Sequence, residues 1–336
     1  MTVVMNVLVI RFSSLGDVIM ASAVIEALRR SFPSSNIHVL TKALYQQVYT
    51  DDPRIAQLIG IRGGESAQEI VHLLGACRYD CVIDLHHSIR SIGVTSLLES
   101  PVKLHIRKHG FSRRLMILSR NRFHRRFDML DSYLKTIRPL GFVERVLPRI
   151  YPDPEAVLAG ERLLQAHRIS REAKFIGIAP GSRHAMKRWD EHSFAAMADE
   201  IMQRGDVPVF LGDREDRQVI ARIASLMTDG NIWSLAGELD LRGAIGLISR
   251  LDAVVSNDSG PMHIAGALGV PFVAMFGPTH PDLGFCPGYP RGAVLTTNES
   301  CSPCSLHGAA PCRMPSRRCM DGITWRMVSE SLDKLT

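Results

Sequence analysis

Short apolar runs alternate with amphipathic segments along the whole chain. Residues 6–11 (NVLVIR) form a β-branched run of the length and composition of a buried strand. The segment after it sets Ala21, Ile25, Leu28 and Phe32 on one helical face. Residues 37–41, 81–85 and 102–106 read as further strands. Tyr151-Pro152-Asp153-Pro154 then interrupts the pattern, and a second series begins. Its strands are 175–179, 207–211, 253–256 and 272–276, with helices such as 191–204 and 241–250 between them. Strand, helix, strand at this spacing predicts βαβ units and parallel sheets. The expected fold class is α/β, with two doubly wound halves, residues 1–155 and 156–336. No short-period repeat or low-complexity tract interrupts the series.

The 336 residues are 46% hydrophobic and 22% charged, enough apolar side chain for two real cores and too much for a disordered chain. Seven cysteines are too few and too uneven for a disulfide scaffold. The N-terminus runs straight into strand-like sequence, so no signal peptide is expected. The longest uncharged stretch, 259–281, is broken by Gly260, Pro261, Gly266, Gly269, Pro271 and Gly277, and no membrane span is expected there. The formal charge of +6 is modest, but it is concentrated. Lys103, Arg107, Lys108, Arg113, Arg114, Arg120, Arg122, Arg125 and Arg126 fall in one stretch without Asp or Glu. Leu104, Phe111, Leu115, Met116, Ile117, Leu118 and Phe123 are interleaved with them. Such a segment suits an anionic membrane surface or an anionic glycolipid. A solvated basic face has the same composition. So has a nucleic-acid surface, but no RNA-binding motif accompanies the patch.

In open parallel sheets, ligands bind beyond the carboxyl ends of the strands, and three loops there carry chemistry. Ser13-Ser14-Leu15-Gly16-Asp17 joins the first strand to its helix. Ser14-x-x-Asp17 has the spacing of a capping box, and a capping carboxylate beside a cleft is still a proton acceptor. Residues 179–189 (APGSRHAMKRW) run from small residues to the Ser182 hydroxyl and then to cations, which suits phosphate oxygens or merely a solvated loop. The spacing of Gly181 and Lys187 is not that of a Walker loop. The third loop, Ser256-Asn257-Asp258-Ser259-Gly260-Pro261-Met262-His263, leads into an Ala/Gly-rich helix. Ser259 is placed as its N-cap and Pro261 suits its first turn. That helix N-terminus would attract a diphosphate, and His263 is either a core histidine or a phosphate contact. No GxGxxG follows a strand, and neither HExxH nor GxSxG occurs, so oxidoreductase, zinc-protease and serine-hydrolase readings have no support.

Together these motifs resemble glycosyltransferase family 9, the ADP-heptose:lipopolysaccharide heptosyltransferases. The resemblance is carried by Arg11-Phe12-Ser13-Ser14-Leu15-Gly16-Asp17-Val18, by Pro180-Gly181 with Lys187-Arg188-Trp189, and by Ala236-Gly237-Glu238. Asn257-Asp258-Ser259-Gly260 with His263, and Phe276-Gly277-Pro278-Thr279, complete it. The Lys-Arg-Trp and Asn-Asp-Ser-Gly forms are more similar to the second type of heptosyltransferase in the family than to the first. There are two departures: Asp190 stands where the family usually has proline after tryptophan, and His280 where it often has aspartate.

The resemblance implies a GT-B fold, with two Rossmann-like domains facing across a cleft and the last helix packing back on the first. It implies inverting transfer of heptose from ADP-heptose to Kdo-lipid A or a heptosylated core acceptor, in the cytoplasm and peripheral to an anionic inner membrane. A transferase using another nucleotide sugar, and a non-catalytic protein that only binds one, are the alternative readings. Asp17 matches the general base, Lys187 the diphosphate contact, and Asp258, Ser259 and Gly260 the phosphate loop. Asp216 matches the residue that holds the ribose hydroxyls, and Leu239 falls where the adenine pocket is lined. Ser182 and His263 join this donor-binding set. Ser14, Gly16, Arg113 and Arg114 form the expected acceptor set. Without an Asp-x-Asp motif, no metal or other cofactor is expected, a lysine and a helix dipole taking a cation's part. Cys301-x2-Cys304-x7-Cys312-x6-Cys319 fits either a closed tetrahedral metal site or unliganded thiols.

Overall fold

Residues 7–10 are completely buried and apolar on both faces, as a parallel strand between two helical layers must be. They lie in β1 (Asn6–Ile10) of a computed structural model that describes residues 5–119 and 126–336. The first sheet adds β2 (Asn36–Lys42), β3 (Gln57–Ile61), β4 (Cys81–Asp84) and β5 (Val102–His105), all parallel, in the order β3-β2-β1-β4-β5. Val7 is in register with Ile37 on one side and Cys81 on the other. The strand order reverses between β1 and β4, which makes that point the ligand-binding crevice of the sheet.

The second sheet repeats the plan. It consists of β6 (Phe175–Ala179), β7 (Val207–Phe210), β8 (Trp233–Ser234), β9 (Ala253–Asn257), β10 (Phe272–Met275) and β11 (Gly292–Leu295). The order is β11-β10-β9-β6-β7-β8, again parallel, with its reversal between β6 and β9. Three strands had no counterpart in the sequence reading. β3 begins on a polar residue, β8 has two residues, and β11 (GAVL) is only half-buried.

The chain divides into two compact units, Met1–Lys108 with Met129–Asp153, and His109–Asp128 with Pro154–Thr336. The return segment is tied to the first unit by buried polar contacts. Arg54 pairs with Asp52 and Glu26 and donates to the Arg149 carbonyl at 2.8 Å, while the Arg149 N–H donates to the Ser22 hydroxyl at 2.9 Å. The segment His109–Asp128, expected in the first half, clusters with the second unit. There the Arg113 guanidinium lies over the Phe285 ring, 5.1 Å from its centre, and the Phe127 N–H donates to the Asp282 carbonyl at 2.8 Å. The final helix, Trp325–Asp333, was expected on the first domain. Instead it buries Val328 and Leu332 in the core of the second unit, beside Trp189, Phe194 and Met320. Its hydrophobic stripe belongs to the nearer core.

Candidate active site

Each sheet places its chemistry at its own switch point. In the first unit, Asp17 stands in the first turn of the helix Leu15–Ser31, where a negative charge complements the helix dipole. Its Oδ2 accepts from the Ser14 hydroxyl at 2.9 Å and from the Ser14 N–H at 3.2 Å, the reach-back of a capping residue. A cap needs nothing more, yet Oδ2 also meets Arg11 Nη2 at 2.5 Å, and the Tyr133 hydroxyl donates to Oδ1 at 3.2 Å. Gly16 lies in the same turn.

At the end of β4, Asp84 Oδ1 accepts the N–H groups of His86 (2.8 Å) and His87 (2.7 Å). His87 turns with φ of 46° and stacks on His105, ring centres 4.7 Å apart. The His86 ring packs against Phe12. Burial first, and then the cations Arg11 and Lys108, push its pKa down to about 4.

In the second unit the loops after β6, β7, β9 and β10 meet. Lys187 Nζ is 2.7 Å from Asp258 Oδ2, to which Thr279 also donates at 2.7 Å. Asn257 fastens the two loops together: its side chain accepts the Trp189 N–H at 2.9 Å and donates to the Pro180 carbonyl at 2.8 Å. Ser182 lies in that loop, where its carbonyl accepts from Arg188 Nε at 3.0 Å. Ser259 stands at the N-cap position of the helix Gly260–Leu268, its hydroxyl turned to that of Ser256 at 3.1 Å rather than to the helix N–H groups, and His263 is buried one turn in. Asp216 closes on the same loop so tightly that a Cβ at Gly181 would stand 2.2 Å from its Oδ2. Burial raises the Asp216 carboxyl above its ordinary range, against the lowering effect of the Asp213 N–H that it accepts. Leu239 is half-buried in the turn before the helix Leu241–Ile248.

Both departures from the family pattern have a local reason. Asp190 caps the helix Glu191–Gln203, accepting the Ser193 N–H at 2.9 Å. His280 Nδ1 accepts the Asp282 N–H at 3.2 Å, which an aspartate would do as well.

The expected acceptor set is divided between the two units. Ser14 is spent on Asp17, whereas Arg113 and Arg114 lie on the helix Gly110–Leu118, which clusters with the second unit. Arg113 is buried over Phe285, and Arg114 is exposed. Arg120, Arg122, Phe123 and Arg125 lie outside the described residues.

The sequence reading missed three features of these sites. Tyr133 was not weighed for a part in chemistry, since an isolated tyrosine carries no pattern, and Thr279, though in the Phe276-Gly277-Pro278-Thr279 motif, was given no chemical part. The third is the role of the cysteine-rich loop, which supports Lys187. A Cβ at Gly308 would stand 2.4 Å from Lys187 Cγ, and Arg317 donates to the Arg188 carbonyl at 3.0 Å. Cys301, Cys304, Cys312 and Cys319 line one cavity with Met186 and Glu299. Among the described residues, no three His, Cys, Asp or Glu side chains group closely enough to hold a metal ion.

Residues 68–310 match the model of glycosyltransferase family 9 (heptosyltransferase). Lipopolysaccharide heptosyltransferase 2 of Escherichia coli K12 is 29% identical over 298 residues, 83% of this chain and 84% of that protein. Two solved structures share the architecture. A family 9 glycosyl transferase from Veillonella parvula aligns over 100% of this chain and 98% of its own, with TM-score 0.82 and 23% identity. The E. coli ADP-heptose LPS heptosyltransferase II aligns over 98% of both chains, with TM-score 0.76 and 24% identity. The paired Rossmann-like sheets are thus those of a GT-B fold, and the chain belongs to glycosyltransferase family 9, the heptosyltransferase family.

Proposed function

We propose that this chain transfers a heptosyl group from ADP-heptose to a sugar of the lipopolysaccharide inner core, with inversion at the anomeric carbon. The observation that carries the reading is the Asp17 carboxylate, held by Arg11 and Tyr133 beyond what helix capping requires. In this account the acceptor hydroxyl attacks the anomeric carbon as Asp17 takes its proton. The bond to the β-phosphate oxygen breaks, and its electron pair leaves with ADP. Lys187 meets the charge growing on the leaving diphosphate, as do the N–H groups at the start of the helix Gly260–Leu268. Asp258 holds the Lys187 ammonium in place and Thr279 fixes Asp258. Ser182, Ser259 and His263 complete the phosphate contacts. Asp216 receives the ribose hydroxyls, and Leu239 lines the adenine pocket. The similar E. coli proteins, named as lipopolysaccharide heptosyltransferases, support this donor and this acceptor class.

The acceptor is a membrane glycolipid in this reading, and the helix Gly110–Leu118 suits its surroundings. Phe111, Leu115 and Leu118 share one face, with Phe111 83% and Leu118 82% exposed, and Arg114 is exposed beside them. An apolar face rimmed by cations lies flat on an anionic bilayer, a peripheral contact. No helix among the described residues is long and apolar enough to cross a membrane.

The testing experiment mixes the purified chain with ADP-heptose and a heptose-free core glycolipid and follows the product by mass spectrometry. A gain of one heptose that fails with UDP- and GDP-sugars supports the reading. Transfer from those donors in place of ADP-heptose would refute it.

A further inference from the structure

Both oxygens of Asp17 take side-chain donors. Oδ2 meets Arg11 Nη2 and the hydroxyl and N–H of Ser14. Oδ1 takes the Tyr133 hydroxyl. Both supporting side chains are themselves fixed. Arg11 Nη1 donates to the Leu85 carbonyl at 2.6 Å, and its guanidinium lies 5.7 Å from the centre of the Tyr133 ring. Tyr133 is completely buried on the helix Met129–Thr136, so core packing decides where its hydroxyl points.

We propose that Arg11 and Tyr133 are positioning residues for Asp17, one on each carboxylate oxygen, and together hold the carboxylate toward the acceptor hydroxyl. The inference rests on the reading of Asp17 as the base. The acceptor's proton passes to the Asp17 carboxylate, the O–H electron pair forms the new glycosidic bond, and the old bond's pair departs with ADP. Arg11 then favours re-ionisation, returning the proton to water before the next turnover. Among the described residues, Arg11 after β1, Lys108 after β5 and His86 at the end of β4 act on this carboxylate. Arg11 and Lys108 favour its ionised form, and His86 is neutral above pH of about 4. Removing a donor from Asp17 therefore makes it easier to protonate.

The test is the pH dependence of kcat/KM for heptosyl transfer by the full chain and its Tyr133→Phe, Arg11→Lys and Asp17→Asn variants. Loss of the tyrosine hydroxyl should move the acid limb up by about one pH unit. It should also lower the plateau several-fold and leave the KM for ADP-heptose unchanged. Arg11→Lys keeps the charge but not the fork, so its limb should move less. It gives the same readout if the phenylalanine variant fails to fold. Uniformly lower rates with an unmoved limb in both variants, while Asp17→Asn is inactive, would overturn the positioning role and leave the base intact. Wild-type turnover by Asp17→Asn would instead overturn the reading of Asp17 itself.

Discussion

The two switch points share a topology and differ in electrostatics. In the first unit Arg11, Tyr133 and Ser14 converge on one protein carboxylate, Asp17. In the second, a lysine paired with Asp258 stands with a helix N-terminus and a hydroxyl-bearing loop, a setting that suits a ligand's phosphates. In the proposed function one crevice keeps a negative charge ready to take a proton, and the other meets a negative charge that a ligand brings. The difference teaches that a Rossmann-like sheet fixes where chemistry happens, while a few loop residues decide its sign.

Substitutions that should damage only one of the two crevices sharpen this contrast. The largest effect is expected from Asp17→Asn, which keeps an acceptor for the cap but cannot take a proton. Turnover should fall by about 10²–10⁴. Lys187→Ala comes next. Losing one charge-assisted contact costs on the order of 1.5–3 kcal/mol, so kcat/KM for the donor should drop roughly ten- to hundredfold. An unchanged KM for ADP-heptose would move the diphosphate away from this loop.

A smaller effect concerns His86, kept neutral by its burial first and then by the cations around Asp17. Its folded pKa is depressed from 6.5 to about 4. The neutral ring therefore contributes stability above pH of about 6.5, and this contribution is lost as the pH falls through about 4. A proton NMR titration should show the ring neutral at pH 5. A midpoint near 6.5 would mean that neither burial nor those cations bear on it. The smallest effect is expected at Asp190. Replacing this cap with alanine should cost about 0.5–2 kcal/mol of stability in a denaturant titration, with kcat unchanged. A large loss of activity would give the family's variable position a direct part in catalysis.

The strands with long apolar runs were legible in the sequence because burial on both faces leaves no polar alternation to misread. β3, β8 and β11 were not, since a partly exposed Gln-Leu-Ile-Gly-Ile, two residues, or a half-buried Gly-Ala-Val-Leu carries too little pattern. The place of Asp17, Lys187, Asp258 and Ser259 in loops at strand ends was legible because such loops concentrate hydroxyls, glycines and charges. Tyr133 was not, because its partner lies 116 residues away and only tertiary packing brings them together. The grouping of residues 109–128 with the second unit was hidden for the same reason. Arg113 looked like one cation among nine until its place over Phe285 separated it from the exposed Arg114. The cysteine spacing was plain, but the packing of that loop against Lys187 was not.

The most direct test of the division between the crevices is a calorimetric titration of ADP into the wild-type chain, Asp17→Asn and Lys187→Ala. The account predicts wild-type affinity for Asp17→Asn and an affinity at least tenfold weaker for Lys187→Ala. Equal weakening in both variants, or an undiminished affinity in Lys187→Ala, would contradict it.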